Sequence, residues 1–542
     1  MATRERTNWR SHEAAKPRPT RRDGSGSPRR ISTGVRPAVG MRVPHGGRNG
    51  HAQALLPTLE SRAVRFINLS QMTAEYRRMS SLENRSAFPV ATEATQDAIG
   101  LRGALVRLGP AAFAFAGFLV TLALFWPGLM SHDAGWVLAI AMRAGPPLGD
   151  WQSPVMAVLW RLIDPIAPGP GSMLLLIVAL YWLGIGLVAT AVARRSALIA
   201  ALLIAAALTP PALFMLGIIW RDMLFAGLWL TAAGLTLTVA DRGDTLGRVL
   251  RGLGLALRGL ALALIVLGVL LRPNAIPAGA LLALYVVTPQ RFAWRRITLL
   301  IVPVAAALFV LSQLTYYQVL GAVRQDPLHS LFVFDLAGIT AHSGENVFPV
   351  VWTDEQQRML TTQCRHDDRW DWYWYIPPCD FVMQRLEADR LFNSPVIGEA
   401  WRGAILAYPL AYLTHRAAYM ATFLFAQNQT LPETWPAAAN AGFAPSAAYH
   451  AYAAAHEALK VTPLFRTGFW LAFCALVFAF AWPRRERAAG AFALATAGSA
   501  ALYVASFAVL GVSADFRYGY WAVPAALAAA AIIAAERVRR SL

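Results

Sequence analysis

The hydrophobic and polar positions of this chain alternate in long blocks rather than in the short periods of an amphipathic helix or strand. From residue 109 onward, apolar runs of about 20 residues are separated by short polar stretches, and an α-helix of that length crosses the hydrocarbon core of a bilayer. The run 275–288 is short and follows Pro273, so a half-helix is an alternative there. Membrane helices are predicted near 109–130, 172–193, 196–216, 218–240, 253–271, 275–288, 297–315, 464–482, 489–511 and 519–535.

The pattern therefore predicts an all-α membrane protein with about ten transmembrane helices. Composition agrees, because 56% hydrophobic and 15% charged residues in a chain of 542 do not suit a soluble globular protein. Four regions are expected. They are a basic tail (1–108), helices one to seven (109–315), an extracytoplasmic segment with interfacial helices (316–463), and helices eight to ten (464–542).

Basic residues between the apolar runs set the expected orientation. With the N-terminus inside, a ten-helix count places every arginine cluster on the cytoplasmic side, as the positive-inside rule requires. Both termini are then cytoplasmic in the inner (plasma) membrane, and 131–171 and 316–463 face the other side. If the apolar stretch 403–426 also crossed the membrane, the arginine clusters after it would fall on the extracytoplasmic side. It is therefore interpreted as interfacial or packed against the bundle. The clusters are Arg194–Arg195, Arg242–Arg258, Arg291–Arg296, Arg484–Arg487 and Arg537–Arg540.

The basic tail carries more than half of the net charge of +18. It is rich in Arg, Pro, Gly and Ser and lacks apolar periodicity, so disorder is expected. Two explanations are retained: a cytoplasmic tail without a function, or translation that begins at Met72 or Met79. Basic tails can bind anionic lipid or nucleic acid, but a nucleic-acid partner is not expected here.

The three cysteines separate into two groups. Cys364 and Cys379 both fall in the predicted extracytoplasmic segment, where an oxidising compartment favours a disulfide between them. Two unrelated reduced thiols are the alternative. Cys474 lies within an apolar run and is expected to be packing.

Chemistry must come from polar residues at the extracytoplasmic face, because the common phosphate-loop, dinucleotide and zinc motifs are absent from the sequence. The first such loop reads SHDAGWVLAIAMRAGPPLGDWQSP and contains Asp133 and Asp150. Its apolar positions predict an amphipathic helix lying along the membrane surface. A carboxylate there can accept a proton from a substrate hydroxyl, although Asp133 could instead cap that helix.

Three further stretches place charges at the same face. IWRDMLF contains Arg221 and Asp222, which form either a local ion pair or N-cap or a second carboxylate of the same site. Arginines at this depth can bind a phosphate with two parallel hydrogen bonds, or they can simply snorkel to the interface. The candidates are Arg272 and Asn274 in LLRPNAIP and Arg517 and Tyr518 in SADFRYGYW.

The predicted extracytoplasmic segment contains CRHDDRWDWYWYIPPC. Its five aromatic residues can stack on sugars, or they can populate a membrane interface without a ligand. Its histidine and aspartates are of metal-ligand type, but the spacing is not that of a zinc site. No metal ligand is therefore assigned and no cofactor is certain, although a divalent metal remains an option. The residues concerned are His366, Asp367, Asp368 and Asp371.

These motifs together resemble the GT-C superfamily of membrane glycosyltransferases, of the protein mannosyltransferase and aminoarabinose transferase type. Asp133 matches the acidic residue of the family's first outer loop. GDWQSP is similar to the family's Asp-His-Pro-Pro-like stretch, but Trp151 and Gln152 intervene and a single Pro154 follows. Asp222 is similar to an acidic residue near the fourth span, and DFRYGYW resembles the ending of polysaccharide-modifying membrane proteins. The resemblance covers roughly 109–315 and 464–535.

The resemblance implies an inverting transfer of sugar from a polyprenyl-phosphate donor, in contact with membrane lipid, to an extracytoplasmic glycan, lipid or protein acceptor. Asp133 would be the base, assisted by Asp150 or Asp222, and Arg272 or Arg517 would stabilise the leaving phosphate. A polysaccharide polymerase or ligase, a lipid-linked saccharide transporter and a non-catalytic scaffold are the alternatives. Transporters usually show inverted repeats and charges deep within spans, and neither is evident in this sequence.

Overall fold

The structure is a computed structural model that describes residues 93–242, 248–426 and 442–541. Within these ranges the regular elements are helices joined by three isolated β-bridges, so the predicted all-α class is confirmed there. The α-helices are α1 (Glu93–Phe125), α2 (His132–Ala141), α3 (Pro154–Ile163), α4 (Pro170–Ala193), α5 (Ala197–Ala207), α6 (Pro210–Leu213), α7 (Arg221–Arg242), α8 (Arg248–Leu271), α9 (Ile276–Val287), α10 (Trp294–Gln313), α11 (Leu328–Ser343), α12 (Asp354–Thr362), α13 (Asp371–Tyr375), α14 (Phe381–Ala388), α15 (Pro395–Ala407), α16 (Pro409–Phe425), α17 (Ala447–Lys460), α18 (Thr467–Ala481), α19 (Ala488–Leu510) and α20 (Ala522–Ser541).

Seven helices in the described residues are long and apolar enough to cross a membrane, which indicates a multi-pass membrane protein. They correspond to α4, α7, α8, α10, α18, α19 and α20. The other three predicted spans are less regular. The run 196–216 forms α5 and α6, which are bent by 65° where Pro210 and Pro211 interrupt the helix, and the apolar parts of α1 and α9 are short.

The first apolar run differs from its predicted boundaries. Helix α1 begins at Glu93, before the predicted limit of the tail, because Leu101, Leu105 and Leu108 continue the helical spacing of apolar residues. It ends at Phe125 rather than at residue 130, and a turn then leads into α2. The rest of the predicted disordered tail, residues 1–92, lies outside the described residues.

Burial separates the centre of the bundle from its periphery. The most apolar window of α7 is 89% buried within the protein, whereas that of α10 is 17% buried and leaves most of its side chains on the outer surface. Helix α7 packs against α4 and α8 along its length. It is therefore the element around which both ends of the bundle are organised.

Charged residues lie at the two ends of α7. Asp222 belongs to its first turn and Asp241 to its last, about 28 Å apart at 1.5 Å per residue. We name the two ends of the bundle after the carboxylates found there, the Asp133 end and the Asp241 end. At the Asp241 end, Arg195 pairs with Asp241 at 2.7 Å and with Glu536 at 3.1 Å.

The segment 316–463 forms helices that pack on the bundle. Helix α11 is buried along most of its length and contacts α15 and α16. The apolar stretch 403–426 is divided at Tyr408 into the end of α15 and α16, and α16 contacts α18 and α19. The sulfurs of Cys364 and Cys379 form a disulfide, which is the pairing that the sequence favours, and Cys474 is buried and free.

Candidate functional site

A backbone bridge brings the first two acidic stretches together. The amide of Leu129 donates to Gly217 at 2.8 Å, and the carbonyl of Leu129 accepts from Ile219 at 2.9 Å. The chains approach so closely that a Cβ added to Gly217 would lie 2.2 Å from the ring of Phe125. This bridge sets the start of α2 beside the start of α7, and therefore Asp133 beside Arg221 and Asp222.

Two further bridges bring the other segments to the same place. Gly149 pairs with Val323, which fixes the end of the first loop against the chain that enters α11. Arg369 pairs with Ser513, with Trp370 donating to Val512 at 2.9 Å. The disulfide-closed loop is thereby held beside the stretch that contains Arg517.

Asp133 lies in the first turn of α2 but does not cap it. Ser131 is the N-cap, since its hydroxyl accepts from the amide of Ala134 at 3.2 Å. The carboxylate of Asp133 instead accepts from Arg517 at 3.0 Å and from Gln152 at 3.1 Å. The capping alternative therefore does not hold, and 42% of the Asp133 side chain stays accessible in a recess.

Asp222 is paired across the bundle rather than with its neighbour. Its carboxylate forms an ion pair with Arg272, which enters from the end of α8, and both side chains are buried. The ring of Tyr518 lies 4.8 Å from the guanidinium carbons of both Arg272 and Arg517. Arg517 also donates to the Tyr518 hydroxyl at 2.9 Å. These partners fix the two arginines in place.

Arg221 differs from these two arginines. Within the part of the chain that the structure describes, no carboxylate oxygen lies within 4.0 Å of its guanidinium nitrogens. Its charge is balanced only at longer range by Asp133 and Asp222. Arg221 is therefore a half-buried cation whose hydrogen-bond donors are available to an anion.

One cavity collects these side chains, and we call it the arginine cavity. It holds three guanidinium groups and two carboxylates, so the lining has one more positive than negative charge. Its free volume is about 10 Å³, close to the room that one water molecule needs. Both carboxylates are already paired with arginines. The charged lining residues are Asp133, Arg221, Asp222, Arg272 and Arg517.

A larger cavity of about 280 Å³ adjoins the first, and we call it the aromatic cavity. The rings of Trp370 and Trp374 are stacked with centroids 5.0 Å apart, and Trp151 lies 5.7 Å from Trp370. Polar groups interrupt this apolar wall at Gln325, Glu387 and Asn393. The aromatic lining residues are Trp136, Trp151, Trp370, Trp374 and Phe392, and Asp133 and Gln152 line both cavities.

Three of the predicted catalytic and binding residues lie outside both cavity linings, namely Asp150, Asn274 and Tyr518, although Tyr518 packs against two lining arginines. The carboxylate of Asp150 accepts from the Tyr317 hydroxyl and from the Gln325 amide, each at 2.6 Å, so it positions the chain that enters α11. Asn274 lies in the turn between α8 and α9, next to the Tyr503 hydroxyl. The predicted association of Asp133, Arg221, Asp222, Arg272, Arg517 and Tyr518 is present in the structure.

The electrostatics of the site keep Asp133 ionised. Withdrawal from bulk water would raise the pKa of its carboxyl, but the guanidinium groups of Arg517 and Arg221 outweigh this and hold that pKa below its ordinary 3.8. Burial raises the pKa of Asp371 above 3.8, and the charge of Asp133 adds to that rise. The two carboxyls are thus pushed in opposite directions.

Sequence reasoning missed several of the lining residues. Trp151 and Gln152 belong to the GDWQSP stretch, of which only Asp150 was predicted to be a site residue. Their ring and amide, next to a carboxylate in the sequence, could have indicated a ligand-binding site. Glu387, Phe392 and Asn393 have no local signal, because their cavity is assembled from segments far apart in the chain.

Comparison with known proteins gives no relative for this chain: no family model, no curated protein and no solved structure matches it.

Proposed function

We propose that the protein is a membrane glycosyltransferase that moves a sugar from a polyprenyl-phosphate donor to an acceptor hydroxyl. The observation that carries this proposal is that Asp133 lines two adjoining cavities of opposite chemistry. One cavity is suited to a phosphate and the other to a sugar. The base of such a transfer has to lie between the phosphate and the sugar, and the carboxylate of Asp133 lies between the two cavities.

The phosphate would bind in the arginine cavity. Arg221 has guanidinium donors available, and Arg517 lies beside it with its charge shared between Asp133 and Asp515, at 3.0 and 3.3 Å. The cavity has room for about one water molecule. Entry of a phosphate therefore requires Arg221 to move outward, and its hydrogen bonds to the phosphate would stabilise the opened cavity.

The sugar units would occupy the aromatic cavity. Indole rings offer the flat apolar faces on which sugar C–H groups pack, while amides and carboxylates bind hydroxyls. Trp136 and Trp374 each keep about 40% of their surface accessible, so their faces are open to a ligand. Gln152, Gln325 and Glu387 provide the polar contacts around them.

The chemistry follows from this placement. An acceptor hydroxyl beside Asp133 attacks the anomeric carbon, its proton passes to the carboxylate, and the bond to the lipid phosphate breaks. The negative charge that grows on the leaving phosphate is stabilised by Arg221 and Arg517. A single displacement of this kind inverts the anomeric centre. Asp222 assists indirectly, since it holds Arg272 in the wall of the cavity.

The proposed location is the plasma membrane, with both termini cytoplasmic and the Asp133 end facing the extracytoplasmic side. Support comes from the arginines that follow α4, α9 and α18, which belong to the opposite side in this arrangement. The Cys364–Cys379 disulfide is compatible with an oxidising compartment at the Asp133 end.

The test is transfer of radiolabelled sugar from cellular polyprenyl-phosphate donors in membranes that contain the wild type or Asp133→Asn. We expect labelled product with the wild type and its loss with Asp133→Asn at equal protein level. Asp164→Asn is the matched control, because Asp164 lies in the same loop and binds the Gly169 amide away from both cavities. Full activity of Asp133→Asn would contradict the proposal.

A polysaccharide ligase is the second candidate, because it would use the same lipid-linked donor and the same aromatic cavity. The end of a longer glycan could occupy the same 280 Å³ as a single sugar. The length of the transferred product separates the two functions. Transfer of single residues supports the monosaccharide transferase, and transfer of preformed oligosaccharides supports the ligase.

A further inference from the structure

A second polar cluster lies where α11, α16 and the disulfide-closed loop meet. The Oδ1 atom of Asp367 is 2.7 Å from Nδ1 of His415 and 3.4 Å from Nε2 of His342, and the three donor atoms all lie within 4.8 Å of one another. We propose that His342, Asp367 and His415 bind a divalent transition-metal ion such as Zn²⁺. This inference does not depend on the proposed transferase activity.

The donor set and its spacing fit such an ion. Imidazole nitrogens and carboxylate oxygens are zinc ligands at about 2.0–2.2 Å. Two donors bound tetrahedrally at that distance lie about 3.3 Å apart, and the two distances to Asp367 bracket this value. His415 is fully buried and His342 nearly so, whereas 19% of the Asp367 side chain is accessible. A water molecule can therefore complete the coordination from the Asp367 side.

The His415 ring is held in one orientation by its neighbours. A Cβ added to Gly338 would lie 2.3 Å from the ring, so only glycine at that position of α11 admits it. The ring of Phe334 packs against it edge-on at 4.6 Å. In this orientation Nδ1 faces Asp367, and Nε2 faces the buried carboxylate of Asp335 at 3.6 Å.

The count of protons favours a metal at Nδ1. A neutral imidazole carries one N–H. If Nδ1–H donated to Asp367, the lone pair of Nε2 would face the carboxylate of Asp335, and Nε2 has no hydrogen-bond partner among the described residues. If Nδ1 binds a metal, Nε2–H points to Asp335, as carboxylates commonly stand behind metal-bound histidines. The experiment below separates this arrangement from one without a metal.

Asp335 agrees with this assignment as it stands, whereas Arg365 has to move. Asp335 is itself fixed, because it accepts from Trp401 at 2.7 Å and pairs with Arg416 at 2.5 Å. Arg365 lies 3.2 Å from Nδ1 of His342 and has to turn away when that nitrogen carries the proton. Arg365 is on the surface, so this movement is unobstructed.

The ion would fasten the disulfide-closed loop to the bundle. Asp367 follows Cys364 by three residues, and the same loop continues to Trp370 and Trp374 in the wall of the aromatic cavity. The disulfide closes the loop on itself, whereas the metal ties it to α11 and α16. Together they would hold the aromatic wall in place.

The test is the zinc content of the full chain, purified in detergent with a tag that contains no histidines. After equilibration with buffered zinc and removal of the excess, elemental analysis should find about one ion per wild-type chain. Residues that only hydrogen-bond to metal ligands contribute ~10–100-fold to metal affinity, and the ligands themselves contribute more. Asp367→Asn and His342→Gln should therefore lose the ion. His366→Gln is the control, since His366 stacks on Trp372 in the same loop at 4.1 Å, outside the cluster.

Thermal unfolding provides a second readout that does not require the two ligand variants, Asp367→Asn and His342→Gln, to fold. A chelator should lower the midpoint of the wild type and of His366→Gln, and added zinc should restore it. A folded wild type that holds no zinc and does not respond to chelator would overturn the proposal. Retention of stoichiometric zinc by both ligand variants would overturn it as well.

Discussion

The two ends of α7 carry charge clusters of similar composition but of different organisation. At the Asp241 end, Arg195 donates from all of its guanidinium nitrogens, twice to Asp241 and once each to Glu536 and the carbonyl of Ala191. At the Asp133 end, Arg221 has no carboxylate within 4.0 Å among the described residues, and the cluster opens into two cavities. Among the described residues, Arg195, Asp241 and Glu536 are all paired with one another, whereas Arg221 has no carboxylate partner.

The difference shows that clustered charge is not by itself evidence of a site. Buried ion pairs roughly balance their desolvation cost only when every group has a partner. The described residues of the Asp241 end meet that condition, since Arg195, Asp241 and Glu536 each have a partner. The Asp133 end leaves a guanidinium group beside a recessed carboxylate, and an anionic ligand would complete it.

The largest expected effect is on catalysis at the Asp133 end. Asp133→Asn removes the proposed base while keeping the shape of the side chain, and general bases contribute about 10²–10⁴-fold to rate. Sugar transfer should fall by that factor, measured with labelled donor. Asp241→Asn should leave transfer within about twofold at equal amounts of folded protein, and an equal loss in both variants would erase the distinction between the ends.

The next effect is on stability at the Asp241 end. Asp241→Asn leaves Arg195 with Glu536 as its remaining acidic partner, and breaking a buried pair costs about 3–5 kcal/mol. We expect a loss near the lower value, measured by denaturant unfolding in detergent. Arg194→Gln is the control and should cost less than about 1 kcal/mol, because Arg194 is half exposed and 4.0 Å from Asp241.

A smaller effect is expected from the aromatic cavity. Trp374→Ala removes one stacking face, and aromatic contacts contribute about 0.5–1.5 kcal/mol, which corresponds to about 2–10-fold in KM for the acceptor or donor sugar. The control is Tyr375→Ala, whose ring is next in sequence, exposed and outside the cavity. Equal changes in the two variants would indicate a general disturbance of the loop.

The smallest effect is the pH response of the wild type. Because the pKa of Asp133 lies below 3.8, its carboxylate is ionised from pH 5 to pH 7, and its titration should change the rate by less than about a tenth there. The stability that this carboxylate contributes is present above pH 3.8 and is lost as the pH falls through its lowered pKa.

Arg517→Gln sharpens the same prediction. It removes the positive charge that contributes most to lowering the pKa of Asp133, so this pKa should rise. The acid limb of the pH profile of kcat/KM should then move to higher pH. Arg517→Lys keeps the positive charge and should keep the limb near its wild-type position. An unchanged profile in Arg517→Gln would show that Arg517 does not act on Asp133 in solution.

The sequence predicted the membrane helices better than the site. Lengths of apolar runs identify α4, α7 and α8 because bilayer thickness acts on each helix separately. The bend between α5 and α6 needed the structure, since Pro210 and Pro211 can lie at a kink or at the end of a span. The placement of the charged candidate residues at one end of the bundle was predictable from the composition of the loops.

The site itself was predictable only in part, because it depends on contacts between distant segments. Asp133 was expected to be the base and Asp150 to assist it, but Asp150 accepts hydrogen bonds from residues 167 and 175 positions away and holds the chain that enters α11. The Leu129–Ile218 bridge that joins Asp133 to Arg221 has no signature of its own. His342 and His415 likewise gave no sign of meeting Asp367.

If Arg221 at the Asp133 end binds a lipid phosphate, direct measurement of polyprenyl phosphate binding will show it. We expect the wild type and Arg195→Gln to bind polyprenyl phosphate in detergent and uncharged polyprenol to bind far more weakly. Arg221→Gln should lose about tenfold or more in affinity, the loss of one charged hydrogen-bonding partner. Equal binding of polyprenol and polyprenyl phosphate, or wild-type affinity in Arg221→Gln, would contradict it.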